Sequence, residues 1–206
     1  NGTLALLEAA RKNKIKRFIF SSSSSVYGDQ KDPKMNELMS PNPLHPYALQ
    51  KWAGEKYCEL YSQLFGVETI ILRYFNVYGK RQILQGDYAL VIGKFLKAKQ
   101  EGKVATIYGD GEQTRAYTWV GDVIRANWLA YEYDFKDAYF EGKKLNSFVF
   151  NVGTDVETSV NKIAELIGGE YKHIDNPRGN FEERRKCADF TRAAVNLGWK
   201  PEVRVE

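Results

Sequence analysis

The chain has 206 residues, 43% of them hydrophobic and 14% aromatic, enough to bury a core in one or two lobes. Its net charge of +4 is spread along the chain without runs of Lys and Arg among aromatics, which argues against nucleic acid and fits a mildly basic cleft for a phosphorylated small molecule. No apolar stretch approaches the roughly 20 residues that span a bilayer, and Asn1-Gly2-Thr3-Leu4 lacks the charged and apolar regions of a signal peptide. Cys58 and Cys187 stand apart with only His45 and His173 to help, so no structural metal is expected, and the isolated thiols point to a reducing cytoplasm.

In chain order, Thr3 is placed to cap a first helix in which Leu4, Leu7 and Ala10 share one side, and Arg11-Lys12-Asn13-Lys14 suits its C-terminal end. Arg17-Phe18-Ile19-Phe20 reads as a buried parallel strand whose polar tip, Ser21 to Ser25, reaches a site. A proline-rich loop over 33–46 follows. The pattern over 47–65 is helical and closes at Gly66, and 67–74 is an apolar, β-branched strand. Helix, strand, helix, strand predicts an α/β fold with a parallel sheet. Later segments repeat the theme: helices over 88–100, 122–133, 159–167 and 191–197, and strands over 104–108, 115–119 and 148–151.

Tyr47 and Lys51 stand at i and i+4 on the long helix, hence on one face. An ammonium beside a phenol favours the phenolate, which makes the tyrosine a usable general base. The spacing alone is weak, because Tyr27/Lys31 and Tyr139/Lys143 share it. Only Tyr47 follows a proline-bounded loop, opens a long helix and comes after a serine-tipped strand.

Five segments carry a resemblance. They are Phe20-Ser21-Ser22-Ser23, Val26-Tyr27-Gly28-Asp29, Pro46-Tyr47 with Lys51, Arg73-Tyr74-Phe75-Asn76-Val77-Tyr78-Gly79, and Gly109-Asp110-Gly111-Glu112-Gln113-Thr114-Arg115. Together they resemble the extended short-chain dehydrogenase/reductase family in its nucleotide-sugar epimerase branch, over almost the whole chain to Gly198-Trp199-Lys200-Pro201. The resemblance implies part of a Rossmann-type doubly wound parallel sheet with a smaller α/β substrate-binding lobe. Residues 1–80 would be the C-terminal part of the NAD-binding domain and 81–206 mainly the substrate lobe, with 115–152 partly returning to the first. It implies NAD as cofactor and a nucleotide-sugar substrate, UDP-linked, with no nucleic acid and no membrane.

Residue by residue, the resemblance assigns Tyr47 to take the proton from a sugar hydroxyl while NAD accepts hydride from the same carbon. Lys51 would hold the nicotinamide ribose, and Ser23 would hydrogen-bond the sugar oxygen. Ser22, Tyr74 and Phe75 would line the cofactor. Asn76, Val91, Tyr108, Arg115 and Arg178 would hold the nucleotide, with Arg115 clamping the diphosphate. The bland alternatives stay open: sheet core for Tyr74 and Phe75, a strand-end hydroxyl bonded to backbone for Ser23, a solvated guanidinium for Arg115.

Relatives that dehydrate or decarboxylate the sugar carry a carboxylate just after the active serine. Here Ser24 and Ser25 stand there, which argues for simple oxidation and re-reduction, with a same-family dehydratase, decarboxylase or reductase as the alternative. Ala116 replaces the usual Asp after the arginine, Lys80 the usual Pro after Tyr-Gly, and Lys186 falls where relatives select for or against an N-acetyl group. No glycine-rich dinucleotide loop precedes the first strand, so the adenosine-binding strands are expected to be truncated or supplied by another chain, and an inactive sugar-nucleotide-binding piece is a further alternative. Tyr57, Leu60, Tyr61 and Leu64 form an apolar stripe that would suit a homodimer or pack on the chain's own sheet.

Overall fold

The computed structural model describes residues 2–86, 89–135, 139–140, 143–144, 147–176 and 185–206. Its first half runs α1 (Gly2–Lys12), β1 (Arg17–Ser23), a 3-10 turn (Ser24–Tyr27), β2 (Lys34–Met35), α2 (Pro46–Phe65), β3 (Glu68–Tyr74) and β4 (Val77–Tyr78). There follow α3 (Val91–Gln100), β5 (Ala105–Tyr108), β6 (Thr114–Arg115), β7 (Thr118–Trp119), α4 (Val120–Glu132), β8 (Tyr139–Phe140) and β9 (Lys143–Lys144). The chain ends with β10 (Ser147–Val152), β11 (Thr158–Ser159), α5 (Val160–Ile167), β12 (Tyr171–Ile174), β13 (Cys187–Ala188) and α6 (Thr191–Leu197).

Strands β1, β3 and β10 form a parallel sheet in the order β1-β3-β10, and the side chains on its two faces alternate as a pleated strand requires. Phe20, Ile71 and, less completely, Phe18 and Val149 pack with Leu7 of α1 and Cys58 of α2. Ile70, Leu72, Phe150 and, less completely, Ile19 and Phe148 pack with Val123, Ala126 and Ala130 of α4 and Ala193 and Leu197 of α6. Helices thus cover both faces of a parallel sheet, the arrangement of a Rossmann-type α/β fold. Ile70, Ile71 and Leu72 are fully buried, and each such side chain contributes about 1.5–3 kcal/mol of apolar burial. A second cluster joins Ile92 and Phe95 of α3, Ile107 of β5 and Val160, Ile163 and Ala164 of α5. There β5 pairs in parallel with β12.

Most elements stand where the pattern put them, with several corrections. Thr3 does not cap α1, which already begins at Gly2. Ser21 to Ser23 belong to β1 itself, because their backbone pairs with 72–74 of β3. The strand read over 115–119 is two short strands with different partners, β6 with β11 and β7 with β4. β12 gave no signal: all four of its residues are exposed, so neither apolar alternation nor an apolar run marks it. The helix read from position 88 begins at Val91, and position 88 lies outside the described residues. The Tyr139/Lys143 pair falls on the antiparallel β8–β9 pair rather than on a helix.

The start of α2 is set locally. His45 is extended at the N-cap, its Nδ1 accepts from Ala48 N–H at 3.3 Å, and Pro46 takes the first helical position, where a missing N–H costs nothing. Gly66, at φ 71°, ends the helix in the left-handed region that glycine tolerates. α2 lies unusually close to β1 at Gly54, where a Cβ would fall 2.4 Å from the Phe20 ring.

Candidate active site

The tips of β1 and β3 carry the hydroxyl groups, and α2 brings the phenol and the ammonium to them. Lys51 Nζ donates to Ser21 O at 2.7 Å and lies 5.7 Å from the centre of the Tyr47 ring. The structure therefore brings Tyr47 and Lys51 together, one turn apart on one helix face. Burial lowers the Lys51 pKa, since partial desolvation disfavours its charge. Tyr47 is 39% exposed, with its ring stacked 6.1 Å from that of His45. Tyr74 lies opposite Ser23 in the β1–β3 register, and its hydroxyl sits 3.1 Å from Ser21 Oγ and accepts from Asn127 Nδ2 at 2.9 Å.

Ser23 ends β1 half-buried, and its hydroxyl accepts from Ser25 N–H at 3.2 Å and donates to Ser25 Oγ at 3.1 Å. This is the strand-end arrangement that opens the 3-10 turn. Ser22 points the other way and is buried, its hydroxyl donated to Glu55 at 2.5 Å. Phe75, read as a neighbour of the cofactor, has no exposed surface. It packs in a core cluster with Val26, Tyr27, Met35 and Ala188, so its ring is sheet core.

A second feature begins two residues past Tyr74. Asn76 takes φ 33°, a left-handed conformation that asparagine accepts more readily than most residues, and its Nδ2 donates to Ala116 O at 3.1 Å. Asn76, Val91, Tyr108 and Arg115 line one cavity of about 260 Å³, so four of the five nucleotide-binding assignments converge. Arg178 lies outside the described residues. Arg115 Nη1 donates to Thr114 O at 2.8 Å, which directs the guanidinium back along β6. Tyr108 is 43% exposed at the rim. The N-terminus of α3 reaches this cavity through Leu90 and Val91, and Leu90 supplies no side-chain cap. Uncapped N–H groups of that kind favour an anion. Lys186 is buried, and its backbone O accepts from Ala116 N–H at 3.0 Å, tying its segment to the Arg115 loop.

Lys94 and Tyr117 are among the lining residues to which the sequence reading gave no role. Lys94 lies one helical turn after Val91, a spacing that puts both on one face. Tyr117 is two residues past Arg115; its hydroxyl is buried with no hydrogen-bond partner among the described residues, and burial pushes its pKa up to about 12. Among the described residues, no three His, Cys, Asp or Glu side chains gather as metal ligands, and no helix is long and apolar enough to cross a membrane.

The geometry is a phenol and ammonium at the carboxyl ends of parallel strands beside a cationic cavity, and comparisons with known proteins give the family of the chain. The model of the NAD dependent epimerase/dehydratase family matches residues 1–153, and the chain belongs to that family. The UDP-glucose 4-epimerase of Mycolicibacterium smegmatis is 36% identical, over 98% of this chain and 63% of its own length. Among solved structures, the Thermotoga maritima UDP-glucose 4-epimerase with UDP-glucose superposes with a TM-score of 0.85 at 35% identity, over 99% of this chain and 64% of that one. The UDP-glucuronic acid 4-epimerase of Bacillus cereus, in complex with UDP-glucuronic acid and NAD, gives a TM-score of 0.83 at 32% identity, over 98% and 62%. The chain spans 63% of the length of two of the curated relatives it matches.

Proposed function

We propose that the protein carrying this chain is an NAD-dependent epimerase of a UDP-linked hexose, inverting one carbon by transient oxidation and re-reduction. The observation that carries this reading is the pairing of Tyr47 with Lys51 at the Ser21–Ser23 strand tip, with Tyr74 opposite Ser23 and, two residues on, Asn76 lining the Arg115 cavity. In it, Tyr47 accepts the proton of the sugar hydroxyl and later returns it, and Ser23 turns its hydroxyl from Ser25 to the same oxygen. Lys51 favours the phenolate and reaches the ribose of the cofactor.

The donor set fits NAD at its nicotinamide end: Tyr47, Lys51 and Tyr74 would hold it, with Ser22 and Phe75 supporting the strand ends from inside. When bound, NAD would take up the hydrogen of the sugar carbon and give it back on the opposite face. Arg115, Asn76, the α3 N-terminus at Val91, and Tyr108 would hold the uridine diphosphate, with Arg178 as a further diphosphate ligand. Serine at 24 and 25 supplies no carboxylate beside Ser23, which favours epimerisation over elimination or decarboxylation.

Residues 1–80 would complete the cofactor domain and 81–206 form mainly the substrate lobe, with 115–152 partly returning; the place of β10 beside β3 supports that return. Both cysteines are free and buried, which supports a cytoplasmic setting. The stripe on α2 divides: Tyr57 and Tyr61 pack against the chain's own core, whereas Leu60 and Leu64 stay exposed and would serve a homodimer. Incubated with NAD and UDP-glucose, the protein is expected to form UDP-galactose, and Tyr47→Phe to abolish this while retaining UDP binding. A keto or deoxy product identified by mass would overturn the assignment.

A further inference from the structure

Three consecutive residues of β1 are gripped by consecutive turns of α2. Phe20 is pressed against Gly54, with Lys51 Nζ 5.5 Å above its ring. The Ser21 carbonyl accepts from Lys51, and the Ser22 hydroxyl donates to Glu55. Glu55 stands one turn after Lys51, as Lys51 stands one turn after Tyr47. Its carboxylate is completely buried and takes Arg73 in a two-pronged pair, Nε to Oε1 at 2.9 Å and Nη2 to Oε2 at 2.6 Å. Arg73, 4% exposed, is the cross-strand partner of Ser22 in the β1–β3 register, so one carboxylate clasps both strands to the helix. Burial works against the Arg73 charge, but the bonds of Glu55, with Tyr27 and the Glu55 charge adding to them, outweigh it and hold its pKa above the ordinary value.

The clasp reaches the third strand. Arg73 lies 4.7 Å over the Tyr27 ring, Tyr27 donates to Asn151 Oδ1 at 2.6 Å, and Asn151, on β10, is the other cross-strand partner of Arg73. A buried ion pair is a poor device for stability alone, since apolar side chains of equal volume often stabilise a core as well or better. A device that fixes register explains its presence here.

We propose that Glu55 and Arg73 are positioning residues for proton transfer, setting the register of α2 on β1 so that the Lys51 ammonium stays beside the Tyr47 phenol. The proposal rests on reading Tyr47 and Lys51 as the proton-transfer pair, but its test needs no turnover. The Tyr47 phenol is titrated by NMR of tyrosine labelled with carbon-13 at Cζ, its signal assigned by its loss in Tyr47→Phe. His45, stacked on Tyr47, is unchanged in every variant. Lys51→Met sets the upper reference, expected above wild type.

The double variant Glu55→Met/Arg73→Met removes no net charge, and its Tyr47 midpoint is expected to rise at least halfway to that reference. Ser22→Ala keeps the ion pair and removes only its link to β1, so it remains informative should the double variant fail to fold; its midpoint is expected to rise as well, by a smaller amount. A wild-type midpoint in the folded double variant, or in Ser22→Ala where the double variant does not fold, would show the clasp to be structural only. A Lys51→Met midpoint equal to wild type would also overturn the proposal. Failure of the epimerase reading is seen separately, as absent UDP-sugar turnover in a protein whose Tyr47 titration behaves as described.

Discussion

Lys51 donates to the backbone carbonyl of Ser21 at 2.7 Å, so the cation beside the Tyr47 phenol is anchored to the strand tip rather than free on the helix surface. Lys51→Met should therefore lose both the cation and the anchor. We expect kcat for the proposed UDP-hexose epimerisation to fall by about 10²–10⁴-fold, the usual worth of a positioned acid–base partner. The KM for the nucleotide sugar should change little, because the Arg115 cavity is lined by other elements. Steady-state kinetics check both; a KM effect with kcat intact would move Lys51 from proton transfer to substrate binding.

Gly54 faces the Phe20 ring at a distance that leaves no room for a methyl group. Gly54→Ala should force α2 away from β1 at a cost of about 1–3 kcal/mol, despite the better helix propensity of alanine. Thermal unfolding should record a loss of roughly 2–4 °C per kcal/mol. An unchanged or raised midpoint would mean that the helix and strand are not in close contact there.

The central sheet and the long helix were legible because their signals are strong: an uninterrupted β-branched run for β3, and Pro46 and Gly66 bounding α2. The Arg115 cavity was legible only through motif resemblance, since Asn76, Val91, Tyr108 and Arg115 come from four separate segments that tertiary packing brings together. The Glu55–Arg73 clasp was invisible because charged residues on a helix and a strand ordinarily read as solvent-facing, and only burial of both shows otherwise. Phe75 stayed open between cofactor and core for the converse reason: an aromatic at a strand end looks the same in sequence whether it lines a cleft or, as here, fills the core.

Burial pushes the Cys58 thiol up to about 12, with Glu55 and Glu59 adding to the effect, and the Cys187 thiol up to about 11. Neither forms appreciable thiolate near neutrality, and both are buried. A thiol-reactive dye at pH 8 should label neither in the native protein and both after unfolding in guanidinium. Rapid native labelling of either one would contradict the packing around it.

Glu157 and Asp189 are among the carboxylates that hold low pKa values. Burial opposes the Glu157 charge, but hydrogen bonds from Arg185 and Thr114 outweigh it, and a hydrogen bond from Thr191 lowers Asp189. A group whose folded pKa is lowered contributes fully above its unfolded pKa, about 4 for a carboxylate, and loses the contribution as pH falls through the folded value. Urea unfolding should give a midpoint that declines below about pH 4. Glu157→Gln should flatten part of that decline; an equal slope in both proteins would remove Glu157 from the account.

The convergence of Asn76, Val91, Tyr108 and Arg115 on one cavity is tested most directly by calorimetry with UDP on this chain, wild type against Arg115→Leu. One UDP should bind per chain, and the variant should bind about tenfold or more weakly, the loss expected for charge-assisted hydrogen bonds to phosphate. Absence of UDP binding by the folded wild type, or equal affinity in the two proteins, would contradict the account.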